Sequence, residues 1–219
     1  MNKLVNLVHI TPDAENLIAY MARVSNPSNQ SNTQTSAKLI KYLITNNHWS
    51  PFELVNMCVE INTTRSIAAQ ILRHRSFSFQ EFSQRYAEVT VRPEIPAFRS
   101  QDLKNRQNSV DDLSEDTLDH CQAIAADVLV TSMKAYQNLL DLGVAKECAR
   151  ELLPMCTPTR MYMNGSIRSW LHYCDLRTGN GTQLEHKKIA QEVMSLLFEH
   201  LPNVCQAMDW FDDSQREDL

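Results

Sequence analysis

The stretch from Ser114 to Gly143 constrains the fold more than any other. Leu118, Cys121, Ala125, Val128, Leu129, Tyr136, Leu139 and Leu140 recur there on one side of a helix. Ser114 is placed to accept the first unpaired backbone N–H groups, and Gly143 can adopt the left-handed conformation that closes a helix. One long amphipathic helix is therefore expected.

Shorter elements flank it. Leu4 to Ile10 reads as a strand, and Thr11-Pro12 as the N-cap and first residue of a helix carrying Leu17, Ile18, Met21 and Val24. A second helix runs through Leu39, Ile40 and Leu43. Phe52 to Ile61, bounded by Pro51 and Asn62-Thr63, reads as a strand, with a helix from Thr64 to about Arg75 behind it. Val144 to Leu153 reads as a short helix stopped by Pro154, and Thr159 to Asn164 as a short strand. Ser166 is expected to cap a helix to about Leu176, and Thr182-Gln183-Leu184-Glu185 to form a capping box opening a last amphipathic helix. The polar stretch from Arg99 to Asp116 suits a surface loop, and the charged segment Asp212 to Leu219 a solvated tail. With no repeat, linker or low-complexity tract, residues 1–219 read as one α+β domain with more helix than strand.

Composition narrows the function classes. The chain is 43% hydrophobic and 21% charged, as in ordinary globular proteins. A formal net charge of −5 disfavours a protein that coats nucleic acid or an anionic membrane, and no apolar stretch approaches a membrane span. Six cysteines without a CxxC pair, and no secretory hydrophobic region at Met1, point to reduced, mainly packed thiols in the cytoplasm. The four glycines include no GxGxxG, so a Rossmann pocket is excluded. Glu185-His186 and His200 show no metal-ligand spacing, and no metal is expected. Trp49, Trp170 and Trp210 read as core or interface anchors.

The chemistry concentrates after Thr64. On a helix there, Ile67, Ala68, Ile71 and Leu72 fall on one side and Ser66, Gln70, Arg73 and His74 on the other. Arg73-His74-Arg75 taken alone is good C-terminal capping on a solvated face. The residues that follow, Ser76 to Tyr86, mix hydroxyls, aromatics, a carboxylate and Arg85 with no amphipathic period, which suits a ligand loop. Three arginines so close together suit a dianion, because a guanidinium fork makes two parallel bonds to a phosphate.

The arrangement Arg73-His74-Arg75, seven residues, then Ser83-Gln84-Arg85-Tyr86 resembles the signature of flavin-dependent thymidylate synthases. The resemblance extends through His48-Trp49-Ser50-Pro51-Phe52-Glu53, Ala149 to Pro154, Asn164 to Trp170 and Asp175-Leu176-Arg177, in the family's order and spacing. It implies a helix-rich α+β domain around a central mixed or antiparallel sheet, of the thymidylate synthase-complementing type, assembled as a homotetramer with shared active sites. It also implies conversion of dUMP to dTMP with FAD as cofactor, methylenetetrahydrofolate as one-carbon donor and NADPH as reductant. No protein thiol is needed for that reaction.

By resemblance, His48, Ser50, Glu53, Arg73, His74 and Arg75 line the flavin site. Gln70, Glu81, Phe82, Ser83, Gln84, Arg85, Arg150 and Arg177 surround the nucleotide, with Phe82 and Gln84 contributing backbone groups. Ser166, Arg168 and His172 are expected near the flavin, although serine and histidine replace the family's common asparagines at the first and last. Arg168, His172 and Asp175 share a helical face opposite Ile167, Leu171 and Cys174, which is otherwise an ordinary solvated face. Arg177 is a candidate catalytic residue that polarises the pyrimidine. Ser83 reads as a nucleotide-binding or a nucleophilic hydroxyl, and no basic partner for the second role is visible. The competing readings are a nucleotide- or nucleic-acid-binding protein without methyltransferase activity, and a phosphate-handling hydrolase or kinase, for which no P-loop or paired acidic site is present.

Overall fold

The computed structural model describes residues 3–210, so the tail expected over Asp212 to Leu219 lies outside the described residues. Strand β1 (Val5–Ile10) is followed by α1 (Ala14–Ala22), α2 (Ser36–Thr45), β2 (Asn56–Thr64), α3 (Arg65–Ile71) and β3 (Ser78–Glu81). A small hairpin, β4 (Ser100–Gln101) and β5 (Ser109–Val110), leads to the long helix α4 (Glu115–Asp141). The short α5 (Lys146–Ala149) and a 3-10 turn (Arg150–Leu152) precede β6 (Pro158–Ser166), α6 (Ile167–Thr178), α7 (Leu184–His200) and α8 (Pro202–Ala207).

The main sheet is antiparallel throughout, in the order β1-β2-β6-β3. The α+β class is as expected, and the sheet is antiparallel rather than mixed. Met57, Val59 and Ile61 of β2 alternate with half-exposed Cys58 and Glu60, and their partners Gly165, Met163 and Met161 of β6 are buried in register. One sheet face therefore packs on α1, α2, α3, α6, α7 and α8, while the other carries Glu60, Arg160 and Tyr162. Trp170, fully buried, ties α6 to that sheet by donating its indole N–H to the Met57 carbonyl at 2.9 Å. A second, smaller core joins Val89 to Tyr136 of α4 and Ala149 of α5.

Several local readings hold. Ser114 accepts from the Thr117 N–H, Ser166 from the Ser169 N–H, and Gly143 closes α4 at φ +82°. Others are corrected. Thr11 does not cap α1, because its hydroxyl is engaged with the backbone of Asn56, and the helix starts after Asp13 at φ 51°. The strand expected from Phe52 begins only at Asn56, because Ser50–Glu53 is a 3-10 turn with Pro51 as its second residue and Phe52 driven into the core. Thr182 does not cap α7; Gln183 precedes that helix without a side-chain cap. Helix α8 follows the helix expected to be last. On α4 only Leu129 and Tyr136 are buried; Leu118, Cys121, Ala125, Leu139 and Leu140 are half-buried, and of the expected apolar side Val128 is exposed. All six cysteines are free thiols; Cys174 and Cys205 are packed, whereas Cys148 is exposed. Among the described residues no helix is long and apolar enough to cross a membrane.

Candidate active site

Helix α3 stops at Ile71, so Arg73-His74-Arg75 is not its last turn. Its first N–H groups are met by the Thr157 and Met155 carbonyls, and its end tightens through bonds from Arg73 and His74 to the carbonyls of Gln70 and Ile71. Leu72 is exposed, and Phe77 takes up the core contact instead, its ring 4.7 Å from Trp170. The apparent helical period therefore breaks at Leu72. The chain then turns into β3, an edge strand paired with β6, where a ligand loop was expected. Arg73 and Arg75 are left exposed while His74 is drawn inward.

His74 packs edge-on against buried Tyr173 at 5.0 Å and accepts a hydrogen bond at Nε2 from the Arg177 Nε–H, 2.9 Å away. That bond requires a neutral ring with its proton on Nδ1. Burial first, and then the charges of Arg177, His172 and Arg73, lower the proton affinity of His74 to a pKa of about 4. A neutral imidazole and a guanidinium thus meet where α3 and α6 converge.

A cavity of about 710 Å³, within the range of small-molecule and cofactor sites, is lined not by these two residues but by their chain neighbours Ser76 and Asp175 and by the elements around them. The 50–53 turn brings Trp49 and Glu53 to it, β6 brings Asn164 and Gly165, and the first turns of α6 bring Ser166, Arg168, His172 and Asp175. The i, i+4, i+7 face of α6 is therefore a cavity wall, not an ordinary solvated face. Glu53 braces it. The carboxylate accepts from the Ser166 hydroxyl at 2.6 Å and from Arg168 Nη1 at 2.5 Å, and these bonds hold its pKa below the usual range. Asn164 Oδ1, also on the wall, is buried without a hydrogen-bond partner among the described residues. An unmet acceptor beside an arginine fits a ligand that has both donor and anionic groups.

The other expected residues divide. His48 and Ser50 are exposed near the turn, and His48 stands edge-on to Tyr42 at 5.9 Å without lining the cavity. Gln70 is linked to α7 through Gln183 at 2.7 Å. Glu81 is engaged inside the fold by Arg65 at 2.5 Å and Thr159 at 2.9 Å. Ser83 is exposed; the Gln84 side chain is buried, and its Nε2 has no partner among the described residues. Phe82 packs on the smaller core, Arg85 pairs with Glu147 at 2.9 Å, and Arg150 lies 3.6 Å from Glu151. Of the expected nucleotide residues only Phe82 packs into a hydrophobic cluster; Gln70, Arg150 and Arg177 are half-buried, and Ser83 and Arg85 are exposed. Reading by sequence passed over Asn164, which sits inside a motif block, and His186, which drew attention only as a metal ligand. Glu185 and His186 serve different partners: Glu185 binds Arg99, whereas His186 reaches Tyr173 and Gln70.

The family model described as thymidylate synthase complementing protein matches residues 6–203. The chain is 51% identical over 197 residues to a probable flavin-dependent thymidylate synthase of Paramecium bursaria Chlorella virus 1, covering 90% of this chain and 91% of that one. It is 50% identical over 196 residues to the flavin-dependent thymidylate synthase of Synechocystis sp., covering 90% of each. A crystal structure of the UMP/dUMP methylase PolB from Streptomyces cacaoi bound with 5-Br dUMP superposes with a TM-score of 0.84 at 26% identity, over 94% of this chain and 93% of that one. The chain belongs to the thymidylate synthase complementing protein family, the family of the flavin-dependent thymidylate synthases.

Proposed function

We propose that this protein methylates dUMP to dTMP, with FAD as cofactor, methylenetetrahydrofolate as one-carbon donor and NADPH as reductant, and that residues 1–219 act as one domain. The protein is an enzyme of the thymidylate synthase class. The observation that carries the site assignment is the cavity walled by Glu53, Ser166, Arg168 and His172, with Ser76 and Asp175, two residues along the chain from His74 and Arg177, also on its wall. Glu53 and Arg168 belong to the blocks on which the resemblance rests, whereas Ser166 and His172 stand where the family commonly has asparagine. Arg168, with Asn164 and His172 on the same wall, would hold a flavin there, and that cofactor would supply the hydride for the new methyl group.

The remaining steps belong to the chain's own groups. Arg168 and the unmet Asn164 Oδ1 offer a cation and an acceptor to the cofactor, with Glu53 fixing the guanidinium. Arg177 spends its Nε–H on His74, which leaves its terminal nitrogens to hold a uracil oxygen as negative charge develops in the ring. His74 keeps its proton on Nδ1 and, with Nε2 already accepting, is not a base at that atom. Arg85, paired only with an exposed carboxylate, suits the phosphate, which can displace Glu147 by offering more acceptor oxygens. Ser83 has no base hydrogen-bonded to it among the described residues, which favours nucleotide binding over nucleophilic attack.

The proposal includes a homotetramer with shared sites. It is supported by exposed Ile124 and Val128 of α4, which border an apolar groove with Pro96 and Phe98. The test is tritium release from dUMP labelled at C5, with FAD, NADPH and methylenetetrahydrofolate each omitted in turn. Release that requires folate and reduced flavin and yields dTMP supports the reading. No release from folded, flavin-loaded protein sinks it and leaves nucleotide binding without methyl transfer.

A further inference from the structure

We propose that His186 is a positioning residue of this site, setting Gln70 on one side and, through the Tyr173 hydroxyl, the ring behind His74 and Arg177 on the other. His186 lies wholly buried on the α7 face that also carries Ile189, Ala190 and Val193, where a space-filling role needs only an aliphatic side chain. A buried imidazole is costly unless its nitrogens are bonded, and both are.

The direction of every bond follows from one carboxylate. Glu185 can only accept, from Arg99 Nη2 at 2.8 Å and from Gln183 Nε2 at 2.9 Å. With its amide so oriented, Gln183 Oε1 accepts from Gln70 Nε2 at 2.7 Å, which turns Gln70 Oε1 toward His186 Nδ1 at 3.3 Å. His186 therefore carries its proton on Nδ1, and its Nε2 accepts from the Tyr173 hydroxyl at 3.1 Å. Burial of the phenol keeps that hydroxyl a donor, and burial, then Arg177 and His74, keeps His186 neutral. The Tyr173 ring so anchored lies 5.0 Å from His74, and His186 itself stands perpendicular to His74 at 6.3 Å. A half-buried ion pair, Arg99–Glu185, is thus connected through two amides to the imidazole that backs the His74–Arg177 pair.

The kinetic test rests on the proposed dUMP methylation, and the spectroscopic test does not. Full-length, flavin-loaded wild type is compared with His186→Leu, His186→Asn and Tyr173→Phe for KM and kcat toward dUMP, bound flavin and the ¹H–¹⁵N resonance of the Arg177 Nε–H. His186→Leu and Tyr173→Phe are expected to raise KM about tenfold, as the loss of a network hydrogen bond does. Bound flavin stays unchanged and the Arg177 resonance shifts. His186→Asn, which keeps a donor toward Gln70, recovers part of the KM. Folded variants with wild-type KM and an unmoved resonance overturn the proposal. If His186→Leu does not fold, Tyr173→Phe, which removes one hydroxyl from an otherwise retained ring, decides. A wild type that makes no dTMP sinks the functional reading, and the Arg177 resonance then decides the role of His186 alone.

Discussion

Arg177 and His74, 103 positions apart, meet through a 2.9 Å hydrogen bond from the Arg177 Nε–H to His74 Nε2. The bond orients a guanidinium whose terminal nitrogens stay available, while burial, and then the neighbouring charges, keep the imidazole neutral. Lysine cannot reproduce it, because an ammonium lacks the planar fork that holds one partner while presenting two further N–H groups. Arg177→Lys is expected to lower kcat/KM for dUMP about 100-fold, in the range of losing one charge-stabilising donor. Its thermal midpoint should stay near wild type. Near-normal activity in a steady-state assay would show that Arg177 does not polarise the pyrimidine.

Glu53 joins the 50–53 turn to the start of α6 through Ser166 and Arg168. Glu53→Gln keeps an acceptor for Ser166 and removes the charge that seats Arg168. Flavin affinity, read by absorbance after equilibrium dialysis, is expected to fall about tenfold, consistent with loss of a charge-assisted bond. Unchanged flavin retention would exclude Glu53 and Arg168 from the flavin site.

Arg85→Ala tests the phosphate role. The pair with Glu147 is largely exposed on both sides, so its loss should leave stability within about 0.5 kcal/mol. Activity should disappear while flavin stays bound. Loss of flavin would contradict the assignment.

His74 and His186 are both held near pKa 4, below the ordinary 6.5. Between those values the unfolded chain takes up protons that the folded chain refuses, so their contribution to stability is full above pH 6.5 and declines as pH falls toward 4. For buried His186 this is worth on the order of 1 kcal/mol between pH 6.5 and 5. His186→Asn should show a shallower decline in thermal midpoint over that window than wild type, and an equal decline would mean that His186 titrates normally.

Gly165 lines the cavity with no room for a side chain, since a Cβ there would stand 2.5 Å from Phe77 Cδ1. Phe77 is itself wedged against Trp170 and Tyr173 and has little freedom to yield. Gly165→Ala is expected to cost about 1–3 kcal/mol by overpacking, measured by denaturant unfolding. A wild-type midpoint would show that the Phe77 ring moves aside.

What the sequence determined alone was local. Ser114 and Ser166 cap their helices as expected because a cap is a contact within three residues, and β2 shows its alternation because one face is buried. The motif residues Glu53, Ser166, Arg168 and His172 were also recognisable as a set. The tertiary structure decided what depended on a distant partner. Thr11 and Thr182 carry capping chemistry, yet Thr11 is claimed by Asn56, 45 positions away, and Thr182 reaches back toward the Leu176 carbonyl. Helix α3 ends early because Phe77, not Leu72, meets Trp170. The tautomers of His74 and His186 have no local signature at all. They are set by Arg177 and by a chain of amides reaching Arg99, and only packing α3, α6 and α7 together brings those groups within hydrogen-bonding distance.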